Sequence, residues 1–84
     1  MAQTDFYKTQ IAQLKAQLAM LQAEKRANKT TRQAQIQNMP ANMRASQRQM
    51  LATAMATYDS RIALLKSQIA TLQASMAREK ANSR

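Results

Sequence analysis

Glycine is absent from all 84 residues, and Pro40 is the only proline. A chain without these two residue types has almost nothing with which to build tight turns or break a helix, so it can only form long uninterrupted helices with very few reversals. Ala, Gln, Lys, Arg, Met and Leu, which fill most of the remaining positions, are all good helix formers.

Within that helical background, large apolar residues recur at alternating spacings of three and four. Tyr7, Ile11, Leu14, Leu18 and Leu21 form one series, and Leu51, Met55, Tyr58, Ile62, Leu65, Ile69, Leu72 and Met76 the other. This is the a/d pattern of a coiled-coil seam, held for close to four heptads in the second series. The two series also resemble each other. Tyr7 to Ala23 and Tyr58 to Ala74 agree at ten of seventeen positions, including Tyr, Ile-Ala, Leu-Lys and Leu-Gln-Ala, as a duplicated helix would.

The expected fold is therefore all-α: an antiparallel helical hairpin in one domain over residues 1–84. Pro40 suits the first turn of the second helix, with Asn38 or Met39 as the bend before it. The spacing predicts a helix over about 4–28 with Thr4 as N-cap and Asp5 in its first turn, a short helix or turn over 31–39, and a helix over about 40–81. The break near 28–31 is expected because Thr30-Thr31-Arg32-Gln33 can read as a weak capping box. Folding the chain at residues 38–40 should set Tyr7 against Leu72, Ile11 against Ile69, Leu14 against Leu65, Leu18 against Ile62 and Leu21 against Tyr58. The same rule would stack Arg32 on Arg48 at the tip, so the seam is expected to end near Asn28 and Leu51.

A hairpin of this size buries each seam on one side only, and its hydrophobic gain barely offsets chain entropy. A homo-oligomer, as a helical bundle or array, is the expected partner state. A second stripe of small residues, Ala12, Ala16, Ala19 and Ala23 with Ala56, Ala63, Ser67, Ala70, Ala74, Ala77 and Ala81, falls on outer heptad positions, where another helix could approach closely.

Chemistry is sparsely provided for. His and Cys are both absent, and the four acids Asp5, Glu24, Asp59 and Glu79 are scattered. No catalytic residue, metal site or cofactor is expected. The longest uncharged stretches fall well short of the roughly 18 residues of a transmembrane helix, and no secretion signal is seen. A cytoplasmic or intravirion location is the default.

Charge is the feature that remains. Thirteen Lys and Arg against four Asp and Glu give +9. Six of the cations, Lys25, Arg26, Lys29, Arg32, Arg44 and Arg48, occur with no acid between the first and the last of them, and Arg78, Lys80 and Arg84 form a second group. Such a surface can neutralise phosphates through counterion release without reading bases. The expected function is thus a non-enzymatic structural or assembly protein that packs against the nucleic-acid backbone, as a virion component or nucleoid-type protein would. The alternatives are an adaptor or inhibitor docking its basic, Met-bearing tip on an acidic protein surface, or a filament subunit.

Overall fold

The computed structural model describes residues 2–82, which form two helices packed against each other, α1 over Ala2–Gln37 and α2 over Ala41–Asn82. The pair makes a ribbon with backbone extents of 66 × 15 × 10 Å. Its radius of gyration of 19.1 Å compares with about 12 Å for a compact domain of this length. Each helix therefore has one neighbour and three sides without one. Among the described residues only Ile11, Ile36, Leu51 and Ile69 are buried, and no side chain is fully so.

The reversal between the helices needs no special backbone. The Asn38 N–H donates to the Gln35 carbonyl at 3.2 Å and the Met39 N–H to the Ile36 carbonyl at 3.0 Å, which tightens the last turn of α1. Pro40 stands just before α2 and its carbonyl accepts the Met43 N–H at 2.9 Å, so Pro40 precedes the helix rather than opening its first turn. Among the described residues none has a positive φ and no peptide bond is cis.

Three expectations about α1 are corrected. The helix begins at Ala2, so Thr4 lies inside its first turn instead of capping it. It also runs unbroken through 28–31, and no separate short helix covers 31–39. The reason is local and tertiary together. Thr30 Oγ1 donates to the Arg26 carbonyl one turn back at 3.0 Å, which satisfies the hydroxyl within the helix and removes its incentive to cap a new one. Beyond it, Ile36 is the most buried of the described side chains at 5% exposure, and burying it requires α1 to continue to the tip.

The third correction concerns register. Lys25 pairs with Asp59 and Asn28 with Tyr58, so facing residues have numbers adding to 84 and 86 rather than 79 or 80. Leu21 shares a groove with Leu65, and Leu14 shares one with Leu72. Side chains on a helix lean toward its own N-terminus. In an antiparallel pair both sets lean in opposite directions along the ribbon, so partners lie further along the chain than mirroring the backbone about the turn suggests.

With the register set, all thirteen apolar positions of the two series are buried or half-buried, whereas the small residues of the second stripe are all exposed. The inward line does not stop at Asn28 and Leu51. On α1 it continues through Arg32 and Ile36 and reaches Met39 in the turn, and on α2 it runs from Arg44 through Gln47 to Leu51 and Met55. Two successive spacings of four, 28 to 32 to 36 on one helix and 47 to 51 to 55 on the other, shift both lines at the same level of the ribbon. That shift turns Gln47 inward and leaves Arg48 exposed, so the Arg32–Arg48 layer is avoided without ending the contact.

Candidate nucleic-acid interface

Because the inward line is known, each charged residue can be assigned to a side of the ribbon by whether it follows or precedes an inward position. A residue one step after turns about 100° one way and a residue one step before turns the same amount the other way. Two antiparallel helices place these equivalent steps on the same flank.

Seven cations follow an inward residue: Lys8 after Tyr7, Lys15 after Leu14, Arg26 after Lys25, Lys29 after Asn28, Arg48 after Gln47, Lys66 after Leu65 and Lys80 after Glu79. All seven are exposed. Asp5 and Asp59 are the acids on this flank. At its centre Lys25, Arg26, Lys29 and Lys66 line one groove of about 500 Å³ together with Asp59 and Ile62, so the two helices contribute to a single cationic surface. The Lys25–Asp59 ion pair crosses it, with side-chain exposures of 32% and 60%; contact with water on that scale leaves it worth less than about 1 kcal/mol.

The sequence-based candidates separate on this map. Arg26, Lys29, Arg48 and Lys80 lie on the basic flank. Lys25, Arg32 and Arg44 are half-buried on the line between the helices. Lys25 is tied to Asp59, and Arg44 donates its Nε–H to the Met39 carbonyl at 3.0 Å, bracing the turn. Arg78 is on the other flank, and Arg84 lies outside the described residues. Lys8, Lys15 and Lys66 belong to no charge run, because each is isolated in sequence. Their signal was periodic: Lys15 and Lys66 are the lysines of the Leu-Lys step shared by the two repeats.

The opposite flank has a different character. Phe6, Met20, Met43, Met50 and Leu64, the exposed large apolar side chains among the described residues, each come one step before an inward residue, and they are 45–62% exposed. Its charges are Glu24, Arg61 and Arg78. Met20 and Leu64 line a groove of about 340 Å³ with Leu21 and Leu65, bordered by Glu24 and Arg61.

Among the described residues no group of three or more His, Cys, Asp or Glu is placed to hold a metal ion, and no helix is long and apolar enough to cross a membrane. Compared with known proteins, the chain matches no family model, no curated protein and no solved structure.

Proposed function

We propose that this chain is a non-enzymatic assembly protein: a coiled-coil hairpin that oligomerises and lays its basic flank along the phosphate backbone of nucleic acid, without sequence preference. The observation that carries the reading is the gathering of seven exposed cations from both helices on one flank, against two acids there. Scattered solubilising charge would be distributed over all sides. Lys and Arg along a line some 66 Å long offer many separate phosphate contacts and no platform for bases, since Tyr7 and Tyr58 are both half-buried between the helices. Backbone neutralisation is what such a surface does best. The adaptor reading has less to stand on, because Arg44 at the tip is engaged with the turn.

The test is the salt dependence of binding to duplex DNA of arbitrary sequence. With about six phosphates neutralised, log K against log salt should fall with a slope near −5, since each contact contributes roughly −0.9. Replacing Arg26, Lys29, Arg48 and Lys66 together by Gln should flatten that slope by about 3.6. A slope unchanged by the four substitutions, or retention on an acidic protein at salt that strips the DNA away, would overturn the reading.

A further inference from the structure

We infer that the apolar flank of Phe6, Met20, Met50 and Leu64 is the surface on which a second copy of this chain docks, face to face and with the two tips pointing in opposite directions. The inference rests on the oligomer in the proposed function and supplies its geometry; it does not depend on the nucleic acid.

Four observations converge on a second copy as the occupant. The first is area. The chain exposes 6297 Å², against about 5,000 Å² for a compact monomer of 9.4 kDa. A ribbon face of 66 by 15 Å presents roughly 1,000 Å² per copy, so two faces would bury about 2,000 Å², the range of permanent homodimers.

Charge is the second. Two chains of +9 repel each other, and the basic flank cannot approach its own copy. On the apolar flank Arg61 and Arg78 are offset by Glu24, which leaves +1. Desolvation is the third. Between the large apolar residues this flank carries Gln, Thr, Ser and Ala, and of its hydroxyls those of Thr57 and Thr71 already donate to the Thr53 and Ser67 carbonyls at 3.2 and 3.0 Å. Those two threonines thus present methyl groups with no hydroxyl donor left to strand on burial.

The fourth is self-complementarity. Met20 and Leu64 stand near the middle of the ribbon and share a groove there, so a two-fold axis across it brings each groove onto its own copy. Of the two such axes, one sets the basic tips side by side and the other places them at opposite ends. With six cations and no acid between Lys25 and Arg48, the second arrangement avoids the repulsion. It also sets position 64 against position 64.

The experiment is sedimentation equilibrium on the full chain, with helicity followed by circular dichroism. The wild-type chain should show the mass of two copies, Met20→Glu with Leu64→Glu that of one, and Ala16→Glu with Ala70→Glu, which alters net charge equally on other sides, that of two. A single-copy mass for the wild-type chain at every concentration overturns the inference, as does an assembly that the Met20 and Leu64 variant leaves intact. Should that variant lose its helices, single cysteines decide, because the chain contains none. Oxidised Leu64→Cys should give a covalent dimer and Ala70→Cys should not, and equal or absent crosslinking at 64 overturns the arrangement. A chain that stays single would sink the oligomer of the proposed function together with this inference, an assembly that the Met20 and Leu64 variant leaves intact would sink this inference alone, and a dimer without affinity for DNA would sink the nucleic-acid reading alone.

Discussion

Substituting Ile36 by Ala is the sharpest probe of how far the helix pair is welded toward its tip. Ile36 is 5% exposed and shares grooves with Met39, Gln47 and Met50 on one side and with Arg48 and Leu51 on the other. Removing three buried carbons at about 0.8 kcal/mol each costs roughly 2.4 kcal/mol, and incomplete collapse of a two-helix layer brings the loss to about 3 kcal/mol. For a domain of this size that is a drop in Tm of roughly 10–20 °C. Ile36→Val should lose about 1 kcal/mol, and Gln33→Ala, on the exposed surface one turn away, less than about 0.5 kcal/mol. The assay is thermal and urea unfolding followed by circular dichroism at one fixed protein concentration, because the proposed self-association would make the midpoint concentration-dependent. If Ile36→Ala and Gln33→Ala unfold within about 0.5 kcal/mol of each other, the tip is not part of the cooperative unit and the continuity of the inward line means nothing energetically.

Two further outcomes follow from the same geometry. Gln33→Pro, placed inside the unbroken α1, should cost about 3 kcal/mol or more and visibly reduce helicity, whereas a chain already broken at 28–31 would absorb it with little change in a urea melt. Asp59→Asn should cost less than about 1 kcal/mol at low salt and nothing at high salt, since its pair with Lys25 lies open to water; a loss above about 2 kcal/mol would contradict that account.

Helical class and the place of the reversal were legible in the sequence, because absence of glycine, a lone proline and 3-4 apolar spacing are local properties of the chain. Register was not. Mirroring residue numbers about Pro40 ignores the lean of side chains along each helix, and with that lean Tyr58 reaches Asn28 while Leu14 and Leu21 share grooves with Leu72 and Leu65. Continuity of α1 was misread for a related reason. Thr30 and Arg32 have the composition of a helix start, and only the long-range burial of Ile36 beside Leu51 shows that α1 has reason to continue. The basic flank was half legible. Counting charges along the chain found Arg26, Lys29 and Arg48 but passed over Lys8, Lys15 and Lys66, which become neighbours of the others only when the heptad position of each is compared.

The turn, made wholly from right-handed and extended backbone, leaves the chain close to a second topology. No residue in it would have to leave a left-handed conformation for α1 and α2 to straighten into one helix about 120 Å long. Two straightened chains could then exchange arms and remake between them the same contacts that each hairpin makes within itself. On the backbone side the obstacle is the pyrrolidine ring of Pro40, which inside a helix costs about 3 kcal/mol and displaces one hydrogen bond. Pro40 therefore adds about 3 kcal/mol to the cost of running α1 on into α2 as one helix.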